Sequence, residues 1–139
     1  MSAQELATRF ADAFERQDPA GLVSLYAEDA SVTHPFFPAG LRGRDAILAA
    51  EKPLFDAFSE ITLQVVSVTG SDRKVALEWC VDATNTGALP LPDGSTVPAT
   101  GRRISLPGLD VVYLDGDGLI AEGHRYQDAA SFMAQLGLA

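Results

Sequence analysis

Val75, Leu77, Trp79 and Val81 alternate with Ala76, Glu78, Cys80 and Asp82. A strict period of two is the mark of a strand with one face on an apolar interior. Ile61, Leu63 and Val65 repeat the pattern, and a long strand is expected from about Arg102 to Leu114. Asp115-Gly116-Asp117-Gly118 reads as a hairpin turn, after which Leu119 to Gln127 returns. The first half has a different period. Leu6, Phe10 and Phe14 recur every four residues, widened by Ala3, Ala7 and Ala13. Ser2 and Glu5 have capping-box spacing ahead of them. Helices followed by a run of antiparallel strands make an α+β protein, with the helices on one face of the sheet.

The remaining punctuation fills in the order. Asp18 can cap a short helix with Pro19 at its first position, carrying Leu22, Val23, Leu25 and Tyr26. Ala30 to His34 should be extended, since Pro35 biases His34 that way. Phe36 to Gly40 reads as a loop. A third helix from about Arg44 includes Ile47, Leu48, Leu54, Phe55 and Phe58, and Pro53 should break or kink it. Gly70-Ser71-Asp72 is a turn. Thr84 to Ala99, rich in Gly and Pro, reads as a loop at one mouth of the sheet. Pro107-Gly108 suggests a bulge. Asp128 can cap a closing helix with Phe132, Met133 and Leu136, stopped by Gly137.

At 139 residues there is room for one domain, 1–139. No segment has the roughly 18 apolar residues of a membrane span, and the start shows no secretory pattern. Cys80 is the single cysteine. It fits a reducing, cytoplasmic setting and reads as a small buried hydrophobe. The net charge of −9 repels polyanions, which argues against a nucleic-acid partner. The two histidines lack metal-ligand spacing, and no phosphate loop or dinucleotide fingerprint is present. Neither a metal nor a cofactor is expected.

Five local strings resemble the nuclear transport factor 2-like superfamily, in its SnoaL-like polyketide cyclase and ketosteroid isomerase branches. Leu25-Tyr26-Ala27-Glu28-Asp29-Ala30-Ser31-Val32 resembles the turn into that family's first strand. Gly43-Arg44-Asp45-Ala46-Ile47 is similar to its helix start. Asp117-Gly118-Leu119-Ile120-Ala121-Glu122 resembles a hairpin string of the family. Tyr126-Gln127-Asp128 and Gln135-Leu136-Gly137 resemble its closing strings. The resemblance implies a curved antiparallel sheet with helices on its concave face, forming a cone-shaped pocket. It also implies a homodimer through the outer sheet face, here the parity of Glu78, Cys80 and Asp82.

Asp110 shares strand parity with Ile104, Leu106, Val112 and Leu114. Burial would raise its pKa and make it a proton donor, and the resemblance places it at the family's hydrogen-bond-donating acid. The competing reading is an Asp paired with Arg or His for stability. His34, before Pro35, stands where ketosteroid isomerases have their general base; a backbone-satisfied histidine is the equal alternative. Folding the hairpin back puts position 123 or 124 roughly opposite Asp110, so His124 is a third catalytic candidate. Asp128 is better read as a helix cap. Phe10 stands where the resemblance expects an oxyanion-donating Tyr, which makes a standard steroid isomerase unlike this chain. Phe14, Tyr26, Phe36, Phe55, Phe58, Trp79 and Tyr126 are candidate walls for a hydrophobic small-molecule substrate, although each alone reads better as core. The functional expectation is a cofactor-free acid/base enzyme on a lipophilic carbonyl compound, of cyclase or isomerase type. The alternatives are a binding or dimerisation module, or an epoxide hydrolase of the same fold; the latter lacks its Arg at Gly108.

Overall fold

The computed structural model describes residues 1–71, 73–91 and 93–138. Helix α1 (Ala3–Glu15) starts at its expected cap, where Ser2 Oγ accepts the Glu5 N–H at 3.1 Å. Asp18 caps α2 (Pro19–Val23) by accepting the Gly21 N–H at 2.9 Å. Strand β1 (Tyr26–His34) begins earlier than its alternation suggests. A register irregularity between Tyr26 and Ser31 interrupts the period of two there, which hid the first half of the strand.

The expected loop at 36–40 is instead part of an edge strand, β2 (Phe37–Arg42), antiparallel to β1. Pro38 is tolerated because an edge strand does not need every donor. Helix α3 (Arg44–Asp56) runs through Pro53 without breaking. Pro53 falls in the last turn, so few helical residues remain beyond it. Strands β3 (Phe58–Gly70) and β4 (Lys74–Asn85) follow; Asp72, in the expected turn between them, lies outside the described residues. Within the expected 84–99 loop, β5 (Leu89–Pro90) and β6 (Thr96–Val97) form a small hairpin. Strand β7 (Arg103–Leu114) pairs with β4 in unbroken register, so Pro107-Gly108 is not a bulge. β8 (Ile120–Gln127) returns, and α4 (Ala129–Gln135) is capped by Asp128 through the Ser131 N–H at 3.0 Å.

The main sheet has the order β2-β1-β8-β7-β4-β3. It is antiparallel except where β1 runs parallel to β8, and it is curved and unclosed. All helical cover is on one face. Leu6 and Phe10 of α1 pack with Val75, Leu77 and Val112, and Phe132 and Leu136 of α4 pack with Ile104 and Leu106. Each of these buried side chains stabilises the fold by about 1.5–3 kcal/mol relative to exposure. The alternation read in β4 holds: Val75, Leu77, Trp79 and Ala83 are buried and Glu78 is exposed. Among the described residues no helix is long and apolar enough to cross a membrane.

Candidate functional site

Register decides what faces the interior. Asp110 is buried on the parity expected of it, among Leu106, Val112 and Leu114. Its partner across β7 and β8 is Arg125, because the pairing runs Tyr113↔Glu122, Val112↔Gly123, Val111↔His124, Asp110↔Arg125. The irregularity between Tyr113 and Leu114 shifts the register from the expected 123 or 124. A one-residue slip exchanges the faces of a strand. Arg125 therefore points inward and His124 does not.

The Arg125 guanidinium donates from Nε to Asp110 Oδ1 at 3.1 Å and from Nη2 to Oδ2 at 3.3 Å. Trp79 Nε1 donates to the same Oδ1 at 3.0 Å. Gly108 makes that reach available. It sits opposite Trp79 in the β4–β7 register, and a Cβ added there would collide with the indole. The glycine anticipated as a bulge is thus the floor on which the tryptophan lies. Three aromatic rings surround the cation, with Phe14, Phe10 and Trp79 centroids 5.6, 5.9 and 6.0 Å from Arg125 Cζ. Phe10 thus packs against the cation that the neighbouring carboxylates hold.

Glu51 approaches from α3, its Oε1 accepting Arg125 Nη1 at 3.1 Å. Among the described residues only Oε1 of Glu51 takes a hydrogen bond, and Glu51 lines the cavity. Burial raises the Glu51 pKa, and Asp110 adds to the rise while Arg125 opposes it. Burial works against the charge on Arg125, but Asp110 and Glu51 hold its pKa above the ordinary arginine value. Its positive charge is therefore permanent.

His34 ends β1. Its Nδ1 accepts the Phe36 N–H at 3.1 Å. A neutral imidazole with an accepting Nδ1 carries its proton on Nε2. That Nε2 lies 3.8 Å from Glu51 Oε1 and 3.4 Å from Arg125 Nη1. Burial, then Arg125, push the His34 pKa down to about 3. At neutral pH it is an uncharged donor.

These groups close the polar end of an apolar cavity of about 90 Å3. His34, Glu51, Arg125 and Gln127 supply the polar lining, and Phe14, Phe36, Phe55, Phe58, Trp79 and Phe132 are its aromatic walls. The expected walls Phe14, Phe36, Phe55, Phe58 and Trp79 therefore meet around one chamber together with His34. Asp110 stands behind Trp79 and Arg125 and does not line it. Tyr26 is buried outside the chamber, and burial, then Asp110, raise its pKa. Tyr126 is 56% exposed on the outer face. His124 is on that outer face too, where Nδ1 meets Thr33 Oγ1 and Nε2 meets Glu122 Oε2, both at 2.8 Å. Neither lines the chamber.

Glu51 and Arg125 were not anticipated. Glu51 carried a legible signal: it is four residues from both Ile47 and Phe55, a charge on the buried stripe of α3. Arg125 alternates with exposed Tyr126 and Glu122, but only the pairing register shows its inward face.

The comparisons bear on the fold and the family. No curated protein matches the chain by sequence. A candidate polyketide cyclase of Xanthomonas campestris pv. campestris is 26% identical with a TM-score of 0.79, covering 96% of each chain. A candidate SnoaL-like polyketide cyclase of Jannaschia sp. CCS1 is 18% identical with a TM-score of 0.80, covering 99% of this chain and 92% of that one. The epoxide hydrolase/cyclase-like enzyme SalBIII, with a role in forming the pyran ring of the polyether salinomycin, is 18% identical with a TM-score of 0.72. The match covers 93% of this chain and 92% of SalBIII. The two likenesses at 18% identity show a shared fold alone. The sequence profile of the SnoaL-like domain matches residues 7–123, and the chain belongs to that family.

Proposed function

We propose that this chain is a cofactor-independent acid/base enzyme that encloses a lipophilic, carbonyl-bearing small molecule and moves a proton on it. The observation that carries the reading is Glu51: a buried carboxyl lining the polar end of an apolar cavity, with Oε1 held by Arg125 and no hydrogen bond to Oε2 among the described residues. A carboxyl whose pKa is raised toward the working pH serves both as base and as acid.

In this reading Glu51 takes the proton from the carbon alpha to the carbonyl, and the C–H electron pair passes into an enolate. His34 Nε2–H and the Arg125 N–H groups not engaged by carboxylates stabilise the enolate oxygen. Where the molecule carries a β,γ double bond the enolate is a dienolate, and returning the proton at the gamma carbon moves that double bond into conjugation. Attack of the enolate carbon on a second carbonyl of the same molecule closes a ring, with Glu51 protonating the new alkoxide. Asp110 is then a positioning residue for Arg125. His34, whose depressed pKa makes it a poor base, acts as a donor.

The test is deuterium uptake from D2O alpha to the carbonyl of cyclohexanone, a single small ring, followed by proton NMR. Glu51→Gln should slow exchange by roughly 10²–10⁴-fold, the usual worth of a positioned proton-transfer group. Exchange as fast as wild type in Glu51→Gln would remove the reading. Binding of the ketone with no exchange in wild type would favour a non-catalytic binding module.

The carboxylates of Asp110 and Glu51 on one guanidinium support a second reading, epoxide opening. Glu51 would take the proton of an attacking hydroxyl as the new C–O bond forms. The epoxide C–O bond would break toward the donors of His34 and Arg125. Diol or cyclic ether from a lipophilic epoxide, with no deuterium uptake on ketones, would favour it.

A further inference from the structure

The chamber is too small for the ligand that this reading requires. About 90 Å3 holds a few water molecules or one small ring. Small-molecule sites usually measure about 300–1,000 Å3. A second apolar hollow of about 230 Å3 lies against it, lined by Pro35, Leu89, Pro90, Leu91, Ala129 and Met133. Phe36, Leu54 and Phe132 line both spaces. They form a partition whose two sides are apolar. Phe36 is half-buried on the segment joining β1 to β2, with its ring centroid 5.1 Å from Phe132 and 5.5 Å from His34.

We propose that the two hollows are one bipartite site, occupied by an elongated substrate whose carbonyl end enters the chamber. Its apolar tail lies in the hollow between α4 and the β5–β6 hairpin. The proposal rests on the acid/base reading for the head group only. Together the hollows reach the lower end of the usual size range, and the three shared side chains make them continuous once the Phe36 ring turns aside. Among the described residues the lining of the second hollow has no charged side chain. It suits a hydrocarbon tail and offers nothing to a polar one.

Two probes separate head from tail: cyclohexanone and 4-octylcyclohexanone. Binding is followed by the fluorescence of Trp79, the single tryptophan, which lines the chamber. Each buried methylene contributes about fourfold in affinity. Four of them give a preference for the octyl ketone on the order of 10²-fold. Ala129→Phe fills the second hollow from α4 and should cut that preference at least about tenfold. Phe36→Ala opens the partition and should retain or increase it. If Ala129→Phe leaves the ratio of the two affinities unchanged, or if wild type shows no preference, the bipartite site is wrong. Deuterium uptake is read separately. Strong preference without exchange would defeat the catalytic reading and leave the tail site standing, whereas exchange with no preference would do the reverse.

Discussion

Asp110 and Arg125 stand directly opposite one another on β7 and β8, and the guanidinium grips the carboxylate through both Nε and Nη2. Both are buried. Removing Asp110 leaves the buried Arg125 with Glu51 as its remaining carboxylate, and breaking a buried pair typically costs about 3–5 kcal/mol. Asp110→Ala should therefore destabilise the protein by that amount in urea unfolding. The double variant Asp110→Ala/Arg125→Met should cost less than the sum of the two single changes, because the facing charges go together and only Glu51, which can take up a proton, has lost a partner. Strict additivity would show that the pair is not coupled.

The tryptophan lying on Gly108 leaves no room for a side chain: a methyl group there would occupy space that the indole fills. Gly108→Ala should displace the ring, break the Trp79 Nε1 bond to Asp110 and cost about 1–3 kcal/mol as an overpacking change. Emission from the single tryptophan should shift to longer wavelength as the indole leaves its buried position. Unchanged emission and an unchanged unfolding midpoint would mean that the ring packs elsewhere.

Much of this architecture was legible because it depends on local pattern. The alternation in β4, the caps at Ser2, Asp18 and Asp128, and the turn at Asp115–Gly118 each rest on residues within a few positions of one another. The inward parity of Asp110 was read the same way. What the chain did not disclose depends on partners far away. β2 exists because Ser31 and Val32 pair with Arg42 and Leu41, although its own residues read as a loop. Asp110 faces Arg125 and not His124 because of a slip at the end of a hairpin, and no local pattern encodes that slip. Glu51 is the exception: its place on the buried stripe of α3 was visible, but only the fold shows that the stripe meets a cavity.

His34 gives a sign to the acid side of the stability profile. Folded His34 stays neutral down to about pH 3, whereas an unfolded histidine takes up a proton below about 6.5. Between these values the unfolded state binds more protons, so this contribution to stability is lost as pH falls, by at most about 1.4 kcal/mol per unit. Glu51 acts in the opposite sense. Its raised folded pKa means that stability is lost as pH rises from the ordinary value of 4.5 through the folded one. The stability difference between wild type and His34→Gln should shrink as pH drops below 6.5, and that between wild type and Glu51→Gln should shrink as pH rises. Urea midpoints taken from pH 4 to pH 8 measure both, and parallel profiles would contradict the buried, neutral imidazole. Nitrogen NMR of the ring should also show Nε2 protonated and Nδ1 bare.

Among the described residues the outer face of the sheet carries no helix, yet it displays Tyr126 at 56% and Tyr113 at 38% exposure, with Leu109 and Val111 half-buried beside them. Tyr126 pairs with Leu109 and His124 with Val111, so these side chains form one strip across β7 and β8. Glu78 and Glu122 are exposed acids on the same face. We propose that this strip is the centre of a two-fold homodimer interface, in which each apolar residue meets the same patch on a second copy. A stable interface of this kind buries about 800 Å2 per partner with an apolar centre and a polar rim. Light scattering at micromolar concentration should give twice the 14.7 kDa of one chain. Tyr126→Glu would place two like charges near the symmetry axis and should return the protein to monomer, while its circular dichroism stays unchanged because the side chain is exposed in the single chain. A wild-type monomer, or a dimer indifferent to Tyr126→Glu, would show that the strip has no such partner.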